Sequence, residues 1–358
     1  MTSVGGVQIP RLILGYLPFV GESYQGTARN TEYSRRFSNI ENTVAILTKA
    51  VEDYGITVVG APTPIESDLA RRFLKAVEQT SQSLGIDVAL ITCVRVPLCI
   101  GDNRIGDYRR WLTYYTVESK CVRRALLNKY LDDPVLQARE KWKPRFLESM
   151  KKSQPYCAEL GKLEIDYNML GGVLSELRDM NVLFVNLGSE IDLLAMGKRM
   201  DLVKNLVDWI CDNYGYRCLL SCHHAGTTIP ILESSGVDFY GHLTPLNRLG
   251  VMMFPTQRAS EDSVKASRHF VMAIKPFAGG RLHPKVALQY VYNKLHIASC
   301  MIGVGLIRGV RTRCLSGFTN PLERYMRSIP ACWYEPSFLS MMIVKLTRKI
   351  WWLCLPSR

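Results

Sequence analysis

The sequence has no long uninterrupted apolar run. No stretch of about 18 uncharged apolar residues occurs among its 358 residues, although 47% of them are hydrophobic. A membrane-spanning helix is therefore not expected. The first ten residues also lack the basic segment and apolar core that begin a secretory signal. These absences lead us to expect a cytoplasmic protein.

Paired cysteines at metal-binding spacing are also missing. The 11 cysteines are scattered without a Cys-x-x-Cys pair, and several lie in apolar runs, where a thiol behaves as a small hydrophobic side chain. An odd number without regular spacing argues against a disulfide framework and against zinc held by thiolates. Cys93 and Cys222 are candidates for a nucleophile by their position after expected strands alone.

Acidic residues are too few to balance the basic ones, which leaves a net charge of +13. The excess is confined to two segments. Asp102–Lys152 has 13 Lys or Arg against 7 Asp or Glu, and Arg308–Arg358 has 9 against 2. A localised excess of this kind is typical of solvated surface. We therefore do not expect nucleic acid as a partner.

Short β-rich runs recur along the chain, and most are followed by a helical pattern, which is typical of an α/β protein with a parallel sheet. Three of the helical patterns stop at a glycine just before a strand, at Gly55, Gly85 and Gly215. Eight strands predict a closed (β/α)8 TIM barrel whose site lies at the C-terminal strand ends. An open doubly wound sheet is the competitor, although no Gly-x-Gly-x-x-Gly follows the first strand. The expected strands are Arg11–Gly15, Ile56–Gly60, Asp87–Cys93, Val182–Asn186, Tyr216–Ser221, Val237–Tyr240, Phe270–Lys275 and Ala298–Gly303.

Two segments fall outside this repeat. About 90 residues separate Cys93 from Val182, of which Leu163–Met180 can supply the regular helix. The basic, aromatic segment 102–152 is then an insertion into a barrel spanning 1–335. Two roles are open for it: a lid or partner surface over the barrel mouth, or a surface loop without a function. The tail 336–358 combines a Trp pair with basic residues, so it either lies on a membrane surface, packs on its own barrel or another subunit, or is disordered.

The C-terminal third carries a resemblance to a known family. The segments Ala273–Leu282 (AIKPFAGGRL), Val286–Tyr290 (VALQY) and Met301–Gly303 (MIG) resemble the last part of an aldo/keto reductase. Arg11–Gly15 (RLILG) and Gly55–Gly60 (GITVVG) resemble that family's first two strands. The resemblance implies a TIM barrel that binds a nicotinamide cofactor at the ends of the last two strands.

The same resemblance implies a catalytic Asp, Tyr, Lys and His, and the sequence departs from each. Gly60 stands at the Asp position, and Pro62-Thr-Pro64 has no Tyr. Thr92-Cys-Val94 stands where Thr-Lys-Val is expected, and Asn186-Leu-Gly188 where His is expected. General acid catalysis contributes about 10²–10⁴ in rate, and nothing aligned supplies it. We therefore expect no ordinary reduction of simple aldehydes.

Polar residues at the expected strand ends offer other chemistry. Histidine and glutamate together can act as acid and base or hold a divalent metal, and a strand-end lysine is a Schiff-base candidate. Each has a structural alternative: the His pair can cap a helix, the lysine can form a salt bridge inside the barrel, and Glu66 can support the next helix start. The expected catalytic residues are Glu66, His223, His224, His242 and Lys275, and the metal candidates are His224, His242 and Glu190.

Glycines after the seventh and eighth strands predict an anion site, because glycine lets backbone N–H groups approach a phosphate. Tight turns without a ligand are the alternative. The expected anion-binding residues are Gly279, Gly280, Gly303, Gly305 and Arg308.

Three functions remain open: acid–base chemistry on a small phosphate-bearing metabolite, an atypical NAD(P)-dependent oxidoreductase, and a non-catalytic ligand-binding protein. The cofactor is accordingly unknown, with NAD(P) or a divalent metal both compatible.

Overall fold

Eight parallel strands close a barrel in the computed structural model, which describes residues 2–4, 6–122 and 125–306. Neighbouring strands follow chain order, and the last pairs with the first through Cys300–Leu12 and Gly303–Gly15. The predicted (β/α)8 barrel is therefore confirmed over an open sheet. The barrel strands are β3 (Leu12–Gly15), β4 (Val58–Ala61), β5 (Ala89–Val94), β9 (Val182–Leu187), β10 (Cys218–Ser221), β11 (Gly241–Pro245), β12 (Phe270–Ile274) and β13 (Ser299–Gly303).

The sixth barrel strand differs from the prediction. The apolar run Val237–Tyr240 was expected to form it, but β11 begins at Gly241. Val237 and Phe239 are buried in the outer layer instead, where they pack under the helices. His242 therefore lies inside a strand and does not follow one, which changes the direction of its side chain.

Helices surround the barrel and mostly alternate with its strands. The glycine stops predicted at Gly55, Gly85 and Gly215 adopt the left-handed conformation, with φ of 62°, 62° and 70°. Glycine adopts this conformation without the steric cost of a Cβ atom. The surrounding helices are α1 (Thr27–Phe37), α2 (Ile40–Tyr54), α3 (Asp68–Leu84), α7 (Tyr167–Ser175), α8 (Glu190–Met196), α9 (Met200–Tyr214), α10 (Ala225–Glu233), α11 (Gln257–Ala266) and α12 (Pro284–Gln289).

The barrel interior is filled by side chains, as in a packed core. Ile13, Val58, Phe184 and Met272 belong to this inner cluster. A short antiparallel hairpin of β1 (Thr2–Val4) and β2 (Val7–Ile9) precedes the first barrel strand, and both ends of β2 are buried in the same cluster. The hairpin therefore closes the N-terminal end of the barrel.

Residues 102–152 contribute no strand to the barrel. They hold helices α4 (Asp107–Glu118), α5 (Leu126–Asp132) and α6 (Trp142–Lys152), and the two-residue strand β7 (Asn103–Arg104). This strand joins β6 (Leu98–Ile100) and β8 (Leu163–Ile165) in a separate antiparallel sheet. The start of the expected helix Leu163–Met180 is thus a strand, and α7 is shorter than predicted.

The C-terminal part of the chain lies outside this description. The tail 336–358 and the anion-site candidate Arg308 both belong to residues that the structure does not describe. Within the described ranges, no helix combines the length and the apolar character needed to cross a bilayer.

Candidate functional site

A cavity of about 250 Å³ opens at the C-terminal ends of the barrel strands. This inner cavity receives polar side chains from five strands or the residues directly after them, because the C-terminal ends of parallel strands meet at one edge. Its polar lining includes Tyr16, Cys93, Asn186, Ser221, His223 and Lys275. Of the five residues predicted to be catalytic, the cavity lining contains two, His223 and Lys275.

Lys275 and His223 form the centre of the inner cavity. The Nζ of Lys275 lies 3.0 Å from Nε2 of His223 and 5.0 Å from the centre of the Tyr24 ring. Among the described residues, no carboxylate forms a salt bridge with Lys275, and its amine contacts His223 instead. Lys275 also has a φ of 53°, an uncommon conformation for a side chain other than glycine. The backbone therefore turns sharply where the amine enters the cavity.

Burial shifts both nitrogen groups toward their neutral forms. Burial lowers the pKa of Lys275 to about 8. Burial and the nearby charge of Lys275 hold the pKa of His223 well below its ordinary value. A neutral His223 accepts a hydrogen bond at Nε2 and carries its proton on Nδ1, a buried atom without a hydrogen-bond partner in the structure. The pair thus combines an amine whose pKa lies close to neutral pH with a neutral imidazole at hydrogen-bond distance from it.

The remaining lining offers no activated nucleophile. Burial raises the pKa of the Cys93 thiol to about 11, so the thiol stays protonated at neutral pH. Cys222, the other candidate nucleophile, does not line the cavity; it is fully buried, and burial raises its pKa. The hydroxyl of Ser221 donates a 3.0 Å hydrogen bond to Asn186. Lys275 is therefore the nucleophile that the cavity best supports.

An outer groove of about 460 Å³ adjoins the inner cavity and shares Tyr24, His223 and Lys275 with it. The insertion borders this groove with Trp111 and Arg139. Arg139 donates a 2.6 Å hydrogen bond to Asp107. Arg95, directly after β5, is exposed and has no ion pair to a carboxylate among the described residues. The outer groove thus presents two guanidinium groups close to the Lys275 amine, and two carboxylates, Glu22 and Glu140, in the same lining.

The glycine turns expected to bind an anion are covered by this chain itself. A Cβ on Gly279 would lie 3.1 Å from Cβ of Tyr24, and one on Gly280 would lie 2.5 Å from the Gln25 amide nitrogen. A Cβ on Gly305 would lie 2.6 Å from the Tyr33 ring. Gly303 is also in the cavity lining, and a Cβ there would lie 3.3 Å from Pro18. These glycines therefore allow the loop after β3, and the helix that follows it, to approach closely.

This packing bears on the nicotinamide cofactor that the resemblance implies. Drug-sized ligands occupy pockets of about 300–1,000 Å³, and the inner cavity is smaller. The guanidinium of Arg281 donates to the carbonyl of Ala278 at 3.0 Å, so it is already engaged beside the turn. The residues at the turns do not fit a dinucleotide, and none of the chemistry proposed below uses one.

The predicted cluster of His223, His224 and His242 is not assembled, because the turn before α10 directs His223 and His224 to different surroundings. His223 faces the inner cavity, whereas His224 points into the interface with the insertion, where its Nδ1 lies 2.9 Å from Glu118. His224 is fully buried among aromatic rings, with Tyr114 at 4.3 Å. Burial disfavours its charged form, but the Glu118 carboxylate outweighs this effect and raises the pKa of His224.

His242 faces the outer layer for the same reason. Leu243 lines the inner cavity, so the side chain before it in β11 points the other way. Its Nε2 lies 2.9 Å from Glu233 at the end of α10. Burial lowers the pKa of His242 to about 4. The predicted metal set of His224, His242 and Glu190 is therefore not assembled.

Glu66 and Glu190 border a third groove beside the mouth and do not line the inner cavity. Glu66 accepts hydrogen bonds from the backbone N–H and the hydroxyl of Thr63, both at 3.2 Å, which is a capping box. This geometry matches the structural alternative given for Glu66 above. Glu190 forms an ion pair with Arg110 of the insertion.

Sequence reasoning missed several residues that contact the predicted ones. Tyr24 beside Lys275, Glu118 beside His224, and His269 beside Glu233 were not singled out. Glu118 is the one acidic residue of α4 after its first turn, in a helix that is otherwise basic and aromatic. An acid in that setting indicates a buried cationic partner, and this signal could have identified it.

No family model matches this sequence, and no curated protein matches it. Among solved structures, the chain is similar to a protein from Pseudomonas aeruginosa assigned as an aldo-keto reductase, with 12% identity and a TM-score of 0.47 over 88% of this chain and 93% of the other. It is also similar to the aldose reductase from Schistosoma japonicum, with 11% identity and a TM-score of 0.41 over 90% of this chain and 88% of the other. At these values the likeness carries no inference about activity.

Proposed function

We propose that this barrel is an enzyme that forms a Schiff base between Lys275 and a small anionic carbonyl compound. The observation that carries the proposal is the Lys275 amine, which lies in the inner cavity with His223 at 3.0 Å and no carboxylate salt bridge in the described structure. A lysine desolvated in a pocket is an activated amine nucleophile. The expected reaction class is that of a lyase or isomerase acting next to a carbonyl group.

The lowered pKa makes the neutral amine accessible. At pH 7.4 a pKa of about 8 leaves about one fifth of the Lys275 side chains neutral, against about one thousandth for an ordinary lysine. Burial is the cause, so the effect depends on the cavity wall and not on a specific charge. The amine is therefore competent for attack near neutral pH.

The reaction begins when the neutral Nζ attacks the carbonyl carbon and the C=O electron pair moves to oxygen. His223 transfers the proton that the nitrogen loses to the alkoxide oxygen, and a second proton, supplied by solvent at the cavity mouth, lets that oxygen leave as water. The product is an iminium ion that draws electrons from the adjacent bond. An adjacent C–H or C–C bond is then weakened, which supports isomerisation or cleavage.

The anionic part of the substrate is best accommodated in the outer groove. Arg95 and Arg139 border the groove, and it reaches Lys275 directly. Arginine binds carboxylate and phosphate groups through paired hydrogen bonds. Arg308 and the glycine turns remain a predicted anion site, with Arg308 outside the described residues. A short carboxylated or phosphorylated carbonyl compound thus matches the two connected spaces.

Borohydride trapping tests the proposal. The protein is incubated with glyoxylate, pyruvate or dihydroxyacetone phosphate, reduced, and measured by intact mass and peptide mapping. The expected adduct adds the mass of the carbonyl compound less one oxygen atom and maps to Lys275. Lys275→Arg abolishes it. Lys129→Arg is the matched control, because Lys129 is also partly buried, with a lowered pKa, but lies outside the cavity. An adduct that persists in Lys275→Arg, or no adduct with any compound, contradicts the proposal.

A further inference from the structure

A second group of ligand-type side chains lies in the outer layer of the barrel. Glu233 ends α10, His242 lies in β11, and His269 directly precedes β12. One ligand atom from each lies within 4.8 Å of the other two. The side chain of His242 is fully buried, whereas those of Glu233 and His269 are 12% and 26% exposed. The group is therefore sheltered and still reachable from solvent.

We propose that Glu233, His242 and His269 form a binding site for a divalent transition-metal ion, with zinc as the preferred occupant. Two imidazoles and one carboxylate are a common zinc donor set. Both ring nitrogens already point at one oxygen: Nε2 of His242 and Nδ1 of His269 lie 2.9 Å and 3.0 Å from Oε1 of Glu233.

These spacings are close to those of a metal site. Zinc bonds of about 2.0–2.1 Å in tetrahedral geometry place neighbouring ligand atoms about 3.3 Å apart. The two nitrogen–oxygen distances need to grow by only a few tenths of an ångström. A small rotation of the Glu233 carboxylate would open the space for the ion. The two ring nitrogens lie within 4.8 Å of each other, so they must also be able to approach to about 3.3 Å around the ion.

The protons on the two rings have alternative positions. A metal ligand must present a nitrogen lone pair, so each ring must carry its proton on the other nitrogen. Nδ1 of His242 lies 3.8 Å from Sγ of Cys222, a weak acceptor for that proton. His269 is partly exposed, so its second nitrogen can be hydrated. Both rings can therefore adopt the tautomer that binds a metal.

Surrounding contacts hold Glu233 and His269 in orientation. The hydroxyl of Ser267 donates to Oε1 of Glu233 at 2.5 Å, and the backbone N–H of Arg268 donates to Oε2 at 3.2 Å. The ring of Phe239 stacks on His269 at 4.0 Å with an interplanar angle of 11°. Such outer contacts fix the ligand geometry of metal sites. The bound ion would connect the end of α10 to the start of β12.

The site is separate from the inner cavity, because His242 points away from the wall that Leu243 lines. Its role is therefore structural, and it does not depend on the Schiff-base proposal. An ion at this position would stabilise the native state by binding it in preference to the unfolded chain.

Zinc binding by the full chain tests this site. Protein stripped with a chelator is titrated with ZnCl2 by calorimetry, and its melting temperature is measured with and without the ion. We expect one zinc per chain and a higher melting temperature. His269→Ala should weaken binding by more than about tenfold, since even residues beyond the ligands contribute that much. His283→Ala is the matched control, because His283 is exposed and outside the group.

A second measurement uses the wild-type protein, so its result does not depend on whether a variant folds. Co²⁺ replacing zinc in the wild-type protein should give the intense visible absorption of tetrahedral coordination. Lys275→Arg should keep both metal signals, which separates this site from the Lys275 cavity. Absence of stoichiometric zinc, an octahedral Co²⁺ spectrum, or equal zinc affinity in His269→Ala and wild type would overturn the proposal and leave a hydrogen-bond network.

Discussion

Replacing Glu118 with glutamine should destabilise the whole protein, although Glu118 lies in the insertion and outside the barrel. The Glu118 carboxylate is 1% exposed and accepts three hydrogen bonds. The donors are Nδ1 of His224 at 2.9 Å, the Tyr130 hydroxyl at 2.5 Å and the Thr227 hydroxyl at 3.1 Å. Two of these donors belong to the barrel, so the carboxylate connects the insertion to it.

The magnitude follows from the burial of this pair. Removing one partner of a buried ion pair costs about 3–5 kcal/mol, because the other charge loses its compensation. Unfolding entropy is about 2.1 cal/mol/K per residue, or about 0.6 kcal/mol/K for a folded unit of about 300 residues. The melting temperature of Glu118→Gln should accordingly fall by about 5–8 °C.

The effect should also depend on pH. The raised pKa of His224 means that the folded state binds this proton more tightly than the unfolded state. The stabilisation is fully present below the unfolded pKa of about 6.5 and is lost as pH rises through the raised folded value. The stability difference between wild type and Glu118→Gln should therefore shrink as pH rises above about 6.5.

Urea unfolding followed by tryptophan fluorescence measures both effects, since Trp111 lies 5.5 Å from the His224 ring. Glu148→Gln is the control: Glu148 pairs with Lys152 on the exposed surface of α6, so its loss should leave the unfolding midpoint unchanged. A Glu118→Gln midpoint equal to that of wild type, or a difference that grows with rising pH, would refute this account of the buried pair.

Four further outcomes can be checked. Gly172→Ala should stabilise the protein by about 0.5–1 kcal/mol in urea unfolding, because it lies inside α7 with open space at the Cβ position. Gly241→Ala should destabilise it by about 1–3 kcal/mol, because the new Cβ would lie 2.4 Å from the Phe270 carbonyl oxygen. Reductive methylation of Lys275 by formaldehyde should reach half its maximal rate near pH 8, well below exposed lysines; a midpoint near 10.5 would be contrary to its burial. NADH and NADPH should not raise the melting temperature, since Tyr24 covers the glycine turn; a saturable rise would reopen the nicotinamide hypothesis.

Seven of the eight barrel strands could be predicted because each is an apolar run of strand length, and three of these runs closely follow a glycine that ends the preceding helix. The sixth could not. Val237 and Phe239 are as apolar as strand residues. A short apolar run in the sequence looks the same whether it is buried under a helix or in a strand. In the sequence, Gly241 looks like the end of a strand, but it begins β11. A glycine fits there because Phe270 of the next strand leaves no room for a side chain.

The location of the candidate site could be predicted from the sequence, but only some of the residues that form it could. Strand-end position identified His223 and Lys275, because the barrel brings all strand ends to one opening. The turn before α10 directs His224 away from His223 and into the interface with the insertion, and the sequence does not show this direction. Its partner Glu118 is 106 residues away in the chain, and no local periodicity connects the two.

The hairpin that closes the N-terminal end of the barrel has a kinetic consequence. Val7 and Ile9 join the packed interior, so the space at Lys275 is a dead end that communicates with solvent at the mouth alone, within the described part of the chain. If Lys275 forms the proposed iminium, a molecule released from it would leave by the route that the next substrate takes to enter. Product and substrate would then compete for one passage, and turnover by this barrel would show competitive inhibition by its own product.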